Sequence, residues 1–186
     1  MRKILVILFT IQSLFIYSQN AKTNSNEKSV VYFTRANATG ALINFTYFDG
    51  EKAIGRFNGP KYLKYECEPG EHLFWARSEN KSFVEATLLA GKIYVIDVKP
   101  QMGAIKAGVK LVPVDKKKYK LKRIKKLLSK RETEIFNESQ LKELQNEMRE
   151  IVTRGMEKYN QFKNKGKKIG QLKPEMTVTE QDLTLE

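Results

Sequence analysis

The chain predicts a mainly β fold: a small antiparallel β-sandwich followed by a basic α-helical C-terminal segment. Three observations carry this expectation. Eight short strand-like runs separated by turn residues lie between residues 29 and 115, the apolar period changes from strand to helix after Asp115, and the charge turns strongly basic at the same point.

The runs are, in order, SVVYFTRA, ALINFTYFD, EKAIGRF, KYLKYEC, EHLFWARS, SFVEATLLA, GKIYVIDV and IKAGVKLVPV. Each is short and rich in β-branched and aromatic residues, the composition that suits a half-buried pleated surface. In KYLKYEC, Leu63, Tyr65 and Cys67 fall on one face while Lys64 and Glu66 fall on the other, the period of two that a strand imposes. The separators have turn chemistry: Asp49-Gly50, Asn58-Gly59-Pro60, Pro69-Gly70 and Ala90-Gly91. Asp-Gly suits a tight hairpin and Pro-Gly presets a type II turn. Strands at such regular intervals argue for an antiparallel sandwich or barrel that holds its own core between residues 29 and 115.

After Asp115 the period is helical. Leu121, Ile124, Leu127 and Leu128 form one stripe inside a lysine-rich shell. Asn137, with Gln140 three residues later, makes an approximate capping box. Leu141, Leu144, Met148, Ile151 or Val152, Met156, Tyr159 and Phe162 then recur at helical spacing until Gly166, so a helix is expected over about 138–165. The acidic tail, residues 166–186, is expected to be extended and mobile.

The opening MRKILVILFTIQSLFIYS has a basic start, an apolar stretch too short and too broken by Gln12 to span a bilayer, and a small residue, Ser18, before the chain turns polar. It reads as a signal peptide over 1–18, with a polar linker over 19–28. Export is therefore expected, to the periplasm or cell envelope or beyond. One cysteine, Cys67, excludes an intramolecular disulfide, so stability rests on packing.

The net charge of +13 is uneven. Residues 19–114 carry 13 Lys/Arg against 9 Asp/Glu, residues 115–170 carry 18 against 8, and residues 171–186 carry 1 against 4. The densest run is Lys116, Lys117, Lys118, Lys120, Lys122, Arg123, Lys125 and Lys126, continued by Lys130 and Arg131. Those first eight are the candidate contact for an anionic surface: lipid, polysaccharide or an acidic envelope protein. The alternative is a solvated helix face. An export signal speaks against nucleic acid as the partner.

No cofactor, metal set or catalytic group is expected. His72 is the only histidine and Cys67 the only cysteine, too few for a zinc site. Cys67 and His72 flank one tight turn and could face each other, but Glu66, Glu68 and Glu71 surround them, the wrong charge for a stabilised thiolate. Trp75, Phe74, Phe83, Tyr62 and Tyr65 could line a ligand face or, as aromatics more often do in sandwiches, fill the inner faces.

From Val30 to about Asp115 the chain resembles a family of bacterial envelope domains, the domain of unknown function 2846. The resemblance rests on VVYFTRA, on YFDGEKAIGRFNGPKYLKYE, on the PGEH turn and on AGKIYVIDV. The segment is also similar to PEGA modules, which share a Pro-Gly-x-His turn within a small β-sandwich. The resemblance implies a non-catalytic, carbohydrate-associated or adapter-like role. Family members are often lipoproteins, whereas no cysteine follows the apolar stretch here.

Three functions are weighed. The first is an exported envelope protein acting as a binding or adapter module, with contact through loop tips and aromatics. The second is a peripheral surface protein held on anionic lipid or polysaccharide by its basic helices. The third and weakest is a hydrolase using Cys67 and His72.

Overall fold

The computed structural model describes residues 27–102 and 107–185. The signal peptide expected over 1–18 and the linker up to residue 26 lie outside the described residues.

The eight runs form β1 (Ser29–Thr34), β2 (Phe45–Asp49), β3 (Lys52–Phe57), β4 (Tyr62–Cys67), β5 (Gly70–Arg77), β6 (Lys81–Leu88), β7 (Ile93–Met102) and β8 (Ala107–Pro113). After them come α1 (Lys122–Lys130), α2 (Glu138–Asn164), β9 (Gly170–Leu172) and α3 (Glu180–Leu183). The strands make two sheets, ordered β4-β1-β7-β8 and β3-β2-β5-β6-β9. One apolar cluster draws on both: Val31 and Phe33 of β1, Tyr94 and Ile96 of β7, Tyr47 of β2 and Phe74 of β5 all belong to it. The alternation of each strand puts these residues on the shared face and leaves a second set on the outer faces.

The sheets are mixed rather than antiparallel, which corrects the expected topology. β1 runs parallel to β7, and β6 runs parallel to β9. The first arises because the chain leaves β1, builds most of the other sheet, and returns to pair beside it. The second depends on α2, which carries the chain back along the outer face so that β9 joins the edge of β6. Neither crossover leaves a local mark in sequence.

Both outer faces are covered by helices. On the five-stranded sheet, Leu144, Met148 and Val152 of α2 bury against Phe48, Ala53, Trp75 and Phe83. Trp75 is fully buried, stacks on Phe48 at 3.8 Å between centroids and donates its indole N–H to the Gly50 carbonyl at 2.7 Å. Gly155 lets the helix approach the indole: a β-carbon there would lie 2.5 Å from Trp75 Cη2. Gln145 accepts from Ala53 N at 2.7 Å and donates to the Glu51 carbonyl at 2.9 Å. It thus covers the Ala53 N–H of the edge strand β3, a group that would otherwise invite pairing with another chain, and the Glu51 carbonyl in the turn before it. The capping box at Asn137 and Gln140 starts the helix as expected, and Gly166, at φ +59°, follows its end.

The tail packs on the domain. Leu172, Val178 and Leu183 are buried, Val178 N donates to the Ile93 carbonyl at 2.9 Å, and the Tyr94 hydroxyl donates to the Pro174 carbonyl at 3.2 Å. A second capping box, Thr179 with Asp182, starts α3. The tail looks polar as a whole, but these spaced apolar residues are enough to seat it. Of the aromatics between residues 29 and 115, Phe48, Trp75 and Phe83 share a cluster with α2.

Candidate functional site

The basic run lies across the outer face of the four-stranded sheet. Its helix is locally disfavoured: α1 has no side-chain cap, no acid in its first turn, and Lys122, Arg123 and Lys125 near its N-terminus, where the helix dipole already concentrates positive potential. Tertiary packing holds it instead. Ile124 is 1% exposed, Leu127 is 7% exposed, and Ile124 clusters with Tyr32, Val95, Val114, Val178 and Leu183. With the apolar stripe turned inward, the cations have only the solvent side left.

Of the eight candidate cations, Lys116, Lys117, Lys118, Lys120, Lys122, Arg123 and Lys126 are exposed and Lys125 is half-buried. Lys116 is held by Asp182 of the tail at 2.6 Å, and that ammonium, with the Thr179 backbone, draws the Asp182 carboxyl down to about 2. Among the described residues it is the one of the eight with a carboxylate in ion-pair contact. The turn leading into α1 is fixed by Asp115, whose carboxylate accepts from Lys117 N at 3.0 Å, and by the Tyr119 hydroxyl donating to Asp97. Burial pushes the Asp97 carboxyl up, and the Tyr119 bond and the nearby Lys99 and Arg123 pull the other way. A mostly buried acid thus anchors the turn while the lysines on it face water.

Beside α1 a cleft of about 440 Å³ is lined on one side by Arg123, Lys126, Lys130 and Arg131 and on the other by Ala36, Asn37, Ala38 and Pro60. Among the described residues no carboxylate lines it. The loop wall, residues 36–44, leans on Arg35. That side chain is fully buried, lies 4.1 Å over the Phe45 ring, and donates to the carbonyls of Ile43 at 2.7 Å, Gly40 at 2.6 Å and Thr39 at 3.3 Å. Burial lowers its pKa, and nearby Tyr47 works against that shift.

His72 and Cys67 do lie near one another, but in a structural setting. His72 Nδ1 meets Asp49 Oδ2 at 2.8 Å and its Nε2 meets the Glu68 carbonyl at 2.8 Å. The Glu68 carbonyl can only accept, so Nε2 carries a proton, and the carboxyl group at Nδ1 favours a second proton there. The Asp49 bond chiefly, then Cys67 and the Glu68 carbonyl, push its pKa up to about 10 against the opposing effect of burial. Tyr65 donates to the same Asp49 at 3.1 Å. The knot joins the Asp49-Gly50 hairpin, the tyrosine strand and the Pro-Gly-x-His turn. Cys67 is buried with its Sγ 3.9 Å from the Ser29 carbonyl.

The aromatic alternatives resolve toward packing: Phe74, Trp75 and Phe83 are buried, while Tyr62 and Tyr65 are half-buried. A second polar cleft of about 410 Å³ holds Glu85, but Tyr159 and Gln171 each donate to that carboxylate at 2.6 Å and depress its pKa. A further group of cations, Arg77, Lys81, Arg154 and Lys158, is close enough that burial and mutual repulsion lower Lys81.

Sequence reasoning did not reach Asp49 as the partner of His72, nor Arg35 as the support of the loop beside the cleft. Among the described residues there is no group of three or more metal-binding side chains, and no helix is long and apolar enough to cross a membrane. No family model, curated protein or solved structure matches the chain.

Proposed function

We propose that this protein is a non-catalytic, exported binding module of the cell envelope that attaches to an anionic surface through its basic face. One observation carries the reading: α1 spends its apolar stripe on the domain, so seven candidate cations are left without a carboxylate in ion-pair contact among the described residues. Charges arranged to support the fold would be paired as Lys116 is. The cleft between α1 and loop 36–44 extends the same surface with Lys130 and Arg131. A non-catalytic role is favoured because the one histidine has no free lone pair to take a proton while both its nitrogens donate. The likeness to PEGA-type β-sandwiches fits two sheets sharing one core, with the Pro-Gly-x-His turn serving the fold through Asp49.

The test is cosedimentation with anionic vesicles and with an anionic polysaccharide over a salt series. Attraction near an anionic membrane is worth ~1 kcal/mol per cation, and the Debye length shrinks from ~10 Å at 0.1 M to ~3 Å at 1 M salt. Binding at low salt should weaken steeply as salt rises. Changing Lys117, Lys120, Lys122 and Lys126 together to Gln should remove most of it. If neither protein binds at low salt, or both bind alike, the basic face is only solvated surface.

A further inference from the structure

The loop opposite the basic helix has an unusual composition. From Ala36 to Phe45 it reads ANATGALINF, with no charged residue, in a chain where 30% of residues are charged. Leu42 is 91% exposed, while its neighbour Ile43 is half-buried on the core. A single exposed leucine needs no explanation by itself. Here the loop that carries it is also held in shape at a cost. Arg35 gives up water to bind three of its carbonyls, with no carboxylate in ion-pair contact among the described residues. Burying a guanidinium without a counterion is unfavourable unless its donors are used; its two terminal nitrogens are used to fix this loop, while Nε has no hydrogen-bond partner among the described residues.

The loop also stands beside the cations. Residues 36–38 form a wall of the cleft whose other wall is Arg123, Lys126, Lys130 and Arg131. The Ala41 carbonyl lies 3.7 Å from where a β-carbon on Gly59 would be, which brings the loop tip next to the Pro60 rim of the same cleft.

We propose that loop 36–44 and the adjoining cleft form a docking site for an anionic lipid bilayer. Leu42 enters the interfacial region while the cleft cations meet lipid phosphates. This rests on the basic-face reading above and commits the surface to lipid. Charge complementarity alone would suit a polysaccharide equally. A preformed, uncharged loop ending in a bare leucine gains nothing from a hydrated sugar chain, but gains from an apolar phase. Binding of a protein surface to a membrane grows with the apolar area it buries and with its attraction to anionic lipid, and the two sources lie side by side here.

The experiment uses sucrose-loaded vesicles of phosphatidylglycerol and phosphatidylcholine, vesicles of phosphatidylcholine alone, and dextran sulfate as a soluble polyanion. Leu42→Asp should weaken binding to the mixed vesicles about tenfold or more and leave dextran sulfate binding unchanged. Leu42→Trp should bind the mixed vesicles with a blue-shifted emission quenched by brominated lipid, and show no shift with dextran sulfate. Leu42 is so exposed that neither change should move thermal unfolding; if Leu42→Asp does, the Leu42→Trp emission decides. Wild-type-like vesicle binding by Leu42→Asp, with no shift for Leu42→Trp, overturns the insertion and leaves the basic-face reading standing. Wild-type binding to dextran sulfate but not to vesicles does the same. Binding to neither overturns both.

Discussion

Replacing Gly155 with Ala tests how α2 is seated. In an isolated helix the change is favourable by ~1 kcal/mol, because glycine has the greater backbone freedom to lose. In this protein the new methyl would meet Trp75 at 2.5, 2.8 and 3.0 Å to three ring carbons, about 1 Å inside ordinary contact. The indole cannot yield easily: it is fully buried, stacked on Phe48 and bonded to the Gly50 carbonyl. The helix must lift or the ring must turn, and overpacking of this kind costs ~1–3 kcal/mol. At contacts this short the upper part of that range applies, ~2–3 kcal/mol, so against the ~1 kcal/mol propensity gain the net effect is a loss of about 1–2 kcal/mol. Trp75 is the only tryptophan in the chain, so chemical denaturation followed by its fluorescence reports on this contact directly. The same Gly155→Ala change made in a Trp75→Phe background should cost less, since the shorter ring vacates the space. An alanine variant as stable as the wild type, or more so, would refute the close seating of the helix on the sheet.

The other predictions concern the histidine knot and the helix start. The folded pKa of His72, about 10, lies above its ordinary 6.5, so the stabilisation it brings is complete below about pH 6.5 and is lost as pH rises through about 10. An NMR titration of this single histidine should therefore show no transition near 6.5; Asp49→Asn should bring the transition down toward that range, and a wild-type ring titrating normally would contradict the assigned pair. Asn137→Ala removes the acceptor for Gln140 N, 2.8 Å away, and should lower stability by about 1 kcal/mol in thermal unfolding; an unchanged midpoint would mean that packing alone sets the start of α2.

Much of the fold was legible because local rules and global packing agree. Alternation in β4 put Leu63 and Cys67 inside, and the capping box at Asn137 with Gln140 started α2 where expected. The expectations that failed depended on pairs far apart in sequence. No local signal says that β1 pairs in parallel with β7, or that three residues at 170–172 join β6. The tail's mean polarity hid Leu172, which joins the inter-sheet core, and Val178 and Leu183, which share the cluster beneath α1. Trp75 and Phe83 belonged to the core, as aromatics in such strands often do, yet to a second core that exists only once α2 arrives.

The site divides the same way. Which residues were basic could be read directly, but whether they were free could not, because that depends on where the apolar stripe goes. Had Ile124 and Leu127 been exposed, α1 would be an amphipathic helix that meets a membrane with its own apolar side. With both buried, the helix contributes only charge, and any apolar contact must come from elsewhere on that face. Arg35 makes the neighbouring loop a fixed part of the protein surface, and the exposed apolar residue on that loop is Leu42. Electrostatic attraction and apolar insertion would then come from two separate elements. Charge-removing changes in α1 should therefore act mainly through the salt dependence of binding, and changes at Leu42 mainly through its dependence on lipid.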